Sequence, residues 1–168
     1  MKTNEVKKTP IEIVDRTTIL GGSDANRIMR GDWHTLWLEK TKRQEPEDLS
    51  WNLPVQIGLH TEKVNQMFFE KETGIECVDP VFFETNVIRQ KEFMYASYDL
   101  VAEQEKTIIE LKHTNSNNTL DNCISTYMPQ VQHYLMVSGY DYAYLSVIFG
   151  NQRHEVCKID ADKDYQKK

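Results

Sequence analysis

The chain has no apolar run approaching the ~20 residues of a membrane-spanning helix. Its opening stretch, MKTNEVKKTPIEIVD, lacks the apolar segment of a secretory leader, so a cytoplasmic protein without a membrane span is expected. Cysteine is scarce. Cys77, Cys123 and Cys157 are odd in number and far apart, which suits reduced thiols packed as small hydrophobes and offers no CxxC pair for zinc or an iron–sulfur cluster. The 5 histidines show no HxxxH or HExxH spacing, so a histidine-based zinc site has no support. Internal repeats and low-complexity tracts are missing, and 7 glycines and 5 prolines in 168 residues exclude a collagen-like chain. Positive charge is not in excess either: 20 basic against 26 acidic residues give −6, which points away from a nonspecific nucleic-acid coat protein. Residues 1–50 hold nine of each sign, so the acidic excess lies in the remainder.

What is present is the composition of an ordinary globular protein, 39% hydrophobic and 27% charged. At this length about 70% of the unfolded surface can be buried, enough for one domain over 1–168 without a disulfide or structural metal. Residues 1–20 read as extended, with Ile11 and Ile13 alternating before Gly21-Gly22. Ser23 is expected to cap a helix with an Ala25, Ile28, Met29 stripe, ended by Gly31. Asp32 is expected to cap another, with Trp33, Leu36, Trp37 and Lys40 on one face, followed by a polar loop from Thr41 to Ser50. Pro54 fits the first turn of a long helix through about Thr73, with Val55, Leu59, Val64, Met67 and Phe68 mostly on one side and Gly74 at its end. Strands are expected over 75–84, 93–102 and 107–112. The polar segment HTNSNNTLDN should separate these from a helix over Tyr127–Ser138, with Pro129 in its first turn. Two last strands, YDYAYLSVIF and QRHEVCKI, flank the hairpin signal Gly150-Asn151, and 161–168 reads as a C-terminal tail.

The informative segment is YASYDLVAEQEKTIIELKH. If 95–102 and 107–112 pair around Glu103–Lys106, a two-residue or a four-residue turn gives one register, and Asp99 faces Glu110. Opposed residues have Cβ atoms about 4.5 to 5.5 Å apart, and like charges there are unfavourable unless something binds between them. A hard divalent cation with oxygen ligands fits. Lys112 projects from the same face as Glu110, and the register sets Ser97 opposite Lys112. An arbitrary ExK is more often a solvated hairpin face. Here Ile108, Ile109 and Leu111 are apolar on both faces, which marks a central strand. Gly58 and Glu62 form an i, i+4 pair on one helical face, where glycine would let the helix lie close to the sheet and carry Glu62 to the carboxylates. Gln130 and Tyr134 are a second such pair. Taken alone, Glu62 reads equally as a surface charge beside Lys63, and Tyr134 as a core aromatic.

In order, GxxxE, xSxD, ExK and QxxxY resemble the PD-(D/E)XK nuclease superfamily in its RecB-like branch. The chain most resembles the YqaJ-type viral recombinases, lambda-exonuclease-like phage enzymes that resect double-stranded DNA. The likeness runs from Arg16 to about Asp160, through GGSDA, KETG, ASYD, ELK and QVQHYLMVSG. It departs where the usual GASPDG appears as YASYDLV. The resemblance implies a restriction-endonuclease-like α/β core, a mixed central sheet flanked by helices. It also implies that Asp99, Glu110 and the Leu111 carbonyl hold Mg²⁺, with Mn²⁺ as a substitute. Lys112 would orient the attacking water, Glu62 would assist metal or water binding, and Gln130 would brace the site with Tyr134 in support. Arg16, Ser23 and Ser97 would contact the DNA 5′-phosphate, although Arg16 alone also reads as a solvated arginine beside Asp15. The implied activity is Mg-dependent 5′-to-3′ degradation of duplex DNA ends, with a single-strand annealing recombinase as partner and a homotrimeric assembly. An endonuclease or repair nuclease on the same core, or an inactive DNA-binding or assembly module, are the alternatives.

Overall fold

The computed structural model describes residues 17–80, 88–91 and 93–168. Arg16, most of the expected N-terminal extended segment and the end of the expected 75–84 strand lie outside them. The described elements are α1 (Gly22–Met29), α2 (Trp33–Lys40), α3 (Leu53–Thr73), β1 (Ile88–Lys91), β2 (Met94–Ser97), β3 (Leu100–Ala102), β4 (Thr107–Thr114), α4 (Leu120–Ser138), β5 (Tyr142–Phe149) and β6 (Arg153–Asp160). A 3₁₀ turn, Tyr165–Lys167, follows. The supposed tail is tied down there, because Gln132 Oε1 accepts from the Asp162 N–H at 2.9 Å and from Gln166 at 3.0 Å.

Four strands form a mixed sheet in the order β3-β4-β5-β6, antiparallel except for the central parallel pair β4 and β5. Parallel neighbours need a crossover, and α4 supplies it. With β4 covered on both sides, its residues are apolar on both faces: Ile108 joins the core with Val131, Leu135 and Leu145, while Ile109 and Leu111 join Phe69 and Cys77. The first core lies under α4, the second under α3. β1 and β2 make a separate antiparallel ribbon, bridged to the chain before α1 through Leu20 and Met94.

Several expectations need correction. α1 is capped two residues earlier than expected: Gly21, not Ser23, is the cap, its N–H donates to Asp24 Oδ2 at 2.9 Å, and Ser23 is exposed. Ile28 and Met29 are exposed, as are Trp33 and Trp37, so α1 and α2 turn mainly Asn26 and Leu36 inward. On α3 the apolar stripe is also outward: Leu59, Val64, Met67 and Phe68 are exposed, and Asn65, Gln66 and Phe69 are the buried residues. Polar side chains packed on the sheet reverse the face that apolar periodicity alone indicates. In the 75–84 stretch, the described pairing is an isolated bridge from Val78 to Val101. α4 starts at Leu120, where Thr119 accepts from the Asn122 N–H at 3.2 Å, so Pro129 is interior rather than first-turn. No described helix is long and apolar enough to cross a membrane.

Candidate active site

The hairpin register is the expected one: Leu100 pairs with Ile109, Val101 with Ile108 and Ala102 with Thr107. β3 stops at Leu100, and Asp99, one residue before it, turns its carboxylate onto β4. There Asp99 Oδ2 accepts from the Leu111 N–H at 2.8 Å. Within a strand, the N–H and C=O of one residue point to the same edge, so the Leu111 carbonyl faces the edge that Asp99 occupies.

Glu110 is 1% exposed, on the α4 side of the strand by alternation with Leu111. Its Oε1 accepts from Gln130 Nε2 at 2.6 Å and is ion-paired with the Lys112 ammonium, which projects from the same face. Its Oε2 is buried and receives no donor from the described residues. A carboxylate with one oxygen twice bonded and the other bare is costly in a protein interior. Burial, and next the charge of Asp99, push the Glu110 carboxyl up to about 8 against the opposing pull of Lys112. Burial acts to lower the Lys112 pKa, but Glu110 and Asp99 outweigh it and hold the ammonium above its ordinary value. Its Nζ also lies 5.0 Å from the centre of the Tyr127 ring. Glu62, reaching from α3 toward solvent, is raised by partial burial and then by Asp99, with Lys112 opposing, which places it in the same electrostatic field.

Gln130 and Tyr134 meet as their i, i+4 spacing requires: Gln130 Nε2 donates to the Tyr134 hydroxyl at 2.8 Å as well as to Glu110. Burial, and then Glu110 and Asp99, hold the Tyr134 phenol well above its usual range. Helix α1 approaches this corner closely. A Cβ on Gly22 would stand 2.4 Å from the Tyr134 ring and 2.9 Å from Gln130 Cγ, so only glycine permits the contact.

A hard divalent cation fits these residues. The donor set is all oxygen, Oε2 of Glu110 lacks any donor, and Asp99 and the Leu111 carbonyl share its edge of β4. Among the described residues no three His, Cys, Asp or Glu side chains converge on one point. Two carboxylates and a carbonyl make a partial oxygen cage, which leaves the remaining positions around such a cation to other oxygen ligands.

Other expected site residues fall elsewhere. Ser97 is not opposite Lys112: the chain bends between β2 and β3, and Ser97 pairs with Ile88. Gly58 does not serve a close approach, since a Cβ there would meet nothing within 4 Å. Arg16 is outside the described residues, and Ser23 sits in the exposed first turn of α1. Sequence reasoning passed over Asn26, whose Nδ2 donates to Gln130 Oε1 at 3.0 Å while its Oδ1 accepts from the Gln130 main-chain N–H at 3.0 Å. The available signal was its i, i+4 spacing from Gly22, which marks the docking face of α1.

Comparison with solved structures gives the same architecture. An alkaline exonuclease, LHK-Exo, from Laribacter hongkongensis superposes with a TM-score of 0.68 at 14% identity, covering 89% of this chain and 81% of that one. That enzyme has also been solved in complex with dAMP. A phage-related exonuclease from Haemophilus somnus 129PT superposes with a TM-score of 0.57 at 14% identity, covering 85% of this chain and 73% of that one. At these identities the likeness establishes the fold, a PD-(D/E)XK-type mixed sheet between helices. In sequence, the chain is 31% identical over 164 residues to the uncharacterized protein YqaJ of Bacillus subtilis (strain 168), covering 90% of this chain and 50% of that protein. It thus spans about half the length of this curated relative. The family description that matches residues 14–141 is the YqaJ-like viral recombinase domain, and the chain belongs to that family.

Proposed function

We propose that the protein is a Mg²⁺-dependent deoxyribonuclease that degrades duplex DNA from an end in the 5′-to-3′ direction, acting in recombination. The observation that carries this reading is Glu110: a fully buried carboxylate with one oxygen bare, beside Asp99 and on the same face as Lys112. Family membership and the exonuclease fold support it.

Asp99, Glu110 and the Leu111 carbonyl would hold the metal, with Glu62 assisting from α3. The bound ion supplies charge stabilisation for a phosphodiester that is being attacked by water. Lys112, anchored by Glu110, aims an ammonium at the same patch, where it orients the water and stabilises the developing negative charge. Gln130 fixes the Glu110 carboxylate so that Oε1 is occupied and Oε2 stays open, and Tyr134 backs Gln130. Ser23, in the first turn of α1, would with Arg16 and Ser97 anchor a terminal 5′-phosphate. Release of nucleoside monophosphates, the class of molecule bound to LHK-Exo, would follow. The working assembly is a homotrimer on a DNA end in the cytoplasm, handing its 3′ overhang to a single-strand annealing recombinase.

The test is a time course on linear and circular duplex DNA, labelled at either strand terminus, with Mg²⁺ or with a chelator. Loss of 5′-terminal label from linear DNA alone, only with metal, is expected. Cutting of circular DNA would instead establish the endonuclease alternative, and metal-independent cleavage would overturn the assignment of Asp99 and Glu110.

A further inference from the structure

Gln130 is an amide, and an amide can face Glu110 with either its NH₂ or its oxygen. Only the first is useful, because an oxygen there would repel the carboxylate. Helix α1 decides the matter. The Gln130 main-chain N–H can only donate, and its acceptor is Asn26 Oδ1 at 3.0 Å. That contact turns the Asn26 NH₂ toward the Gln130 side chain, where it donates to Oε1 at 3.0 Å. With Oε1 so engaged, Gln130 Nε2 is left for Glu110 Oε1 at 2.6 Å and the Tyr134 hydroxyl at 2.8 Å. Every donor in this series is fixed by the one before it, and the first is a peptide group that has no other polarity.

The backbone of α4 is irregular where α1 docks. Pro129 stands immediately before Gln130 inside α4, and an interior proline disturbs the carbonyl one turn earlier and the hydrogen bonds around it. At this point α1 meets the helix twice: Asn26 takes the Gln130 N–H, and Arg30 donates to the Thr126 carbonyl at 3.4 Å. Gly22 lets the helices come close enough. Asn26 and Gln130 are both buried.

We infer that Asn26 is a positioning residue for the metal site: it sets the polarity of the Gln130 amide, which together with the Lys112 ammonium holds Glu110 Oε1 and leaves Oε2 open to the cation. The inference rests on the metal reading of Asp99 and Glu110 and goes beyond it by extending the site to a residue that touches neither metal nor substrate.

The experiment is Mn²⁺ binding by isothermal titration calorimetry to the full chain without DNA, with thermal melts in chelator alongside. It compares wild type, Asn26→Ala, Gln130→Ala, the double variant, and Arg30→Ala as a control that loosens the same helix pair without touching Gln130. Losing control of a hydrogen bond to a charged group typically costs about 10- to 150-fold. Asn26→Ala is expected to weaken Mn²⁺ binding by roughly that factor, to match Gln130→Ala, and to add nothing in the double variant. Arg30→Ala should lower the melting temperature and leave Mn²⁺ affinity unchanged. A folded Asn26→Ala protein with wild-type affinity would overturn the inference, as would an equal loss in the Gln130→Ala background or in Arg30→Ala. A wild type that takes up no Mn²⁺ would instead overturn the metal reading on which the inference depends, so the two failures are distinct.

Discussion

Two buried polar clusters lie on opposite faces of the central sheet, and they differ in one respect. Under α3, Asn65 Nδ2 donates to the carbonyls of Lys112 at 3.1 Å and Ser146 at 3.0 Å. Ser146 Oγ donates to Asn65 Oδ1 at 2.6 Å, and His154 contacts both residues while its Nδ1 lies 2.8 Å from Glu72. The Ser146, His154 and Glu72 order resembles a hydrolytic triad, yet Ser146 is fully buried and its proton is committed to Asn65. Under α4, Glu110, Gln130, Tyr134 and Lys112 form a second group in which one carboxylate oxygen is left without a hydrogen-bond partner. The first cluster is complete without a ligand and so braces the sheet. The second is incomplete, and on the proposed reading that incompleteness is what makes it a site.

The sharpest way to break this contrast is to neutralise the bare carboxylate. Glu110→Gln, and likewise Asp99→Asn, which keeps an acceptor for the Leu111 N–H, should abolish metal-dependent cleavage. Their melting temperatures without metal should stay equal at neutral pH and rise relative to wild type above about pH 8, where Glu110 and Asp99 would both be charged. Detectable turnover in either, measured on linear duplex, would move the metal elsewhere.

Next in size is Lys112→Ala. Removing a positioned electrostatic or proton-handling group typically costs about 10² to 10⁴ in rate. Single-turnover cleavage should fall by that factor with DNA affinity nearly retained; a loss in binding alone would make Lys112 a phosphate contact. A smaller effect is expected at the substrate end. Wild type should prefer 5′-phosphorylated over 5′-hydroxyl linear duplex, and Arg16→Ala should lose about 10- to 150-fold of that preference, the span of one charge-assisted contact. Equal rates on both ends would remove the 5′-phosphate pocket.

Proton linkage gives a finer test of the same cluster. The Glu110 carboxyl is raised to about 8 in the folded state, mainly by burial and then by Asp99. The unfolded chain loses this proton near its ordinary carboxylate value, whereas the folded chain keeps it, so over that window this group makes apo stability fall as pH rises. Metal must displace the proton, so affinity should climb with pH by at most about tenfold per unit and level off above about 8. Melts in chelator and Mn²⁺ titrations from pH 5 to 9 check both trends, and Glu110→Gln should flatten the first.

The smallest catalytic effect should come from the complete cluster. Asn65→Ala strips donors from two carbonyls and an acceptor from Ser146, each such loss costing about 1 to 3 kcal/mol. A melting temperature lower by at least about 6 °C is expected, from three such losses at about 2 to 4 °C per kcal/mol, with turnover per folded molecule unchanged. A large drop in kcat at unchanged stability would show that the α3 cluster takes part in the chemistry.

What the sequence revealed follows the range of its signals. Strand alternation and hairpin register are local, and they placed Asp99 against β4 and put Glu110 and Lys112 on one face. The i, i+4 spacing of Gln130 and Tyr134 was equally local. The failures share a cause, namely polar residues facing inward. Asn65 and Gln66 look like surface positions on a helix whose apolar residues turn outward, and Asn26 has meaning only beside Gln130, 104 positions away. Thr119 and Pro129 both resemble helix starts, and only the fold shows which one is.

Of the strands in this sheet, β3 is the shortest, with three residues against eight in β4. Had the pairing run two residues further, the Leu111 N–H and carbonyl would be spent on a neighbouring backbone, and Asp99 would be one more rung. Truncation leaves a gap in the ladder, and a carboxylate, a carbonyl and a cation can occupy positions that peptide groups would otherwise fill. On the proposed reading, the chemistry of this protein is located by where a strand ends, and insertions that lengthen β3 should silence it even with every site side chain in place.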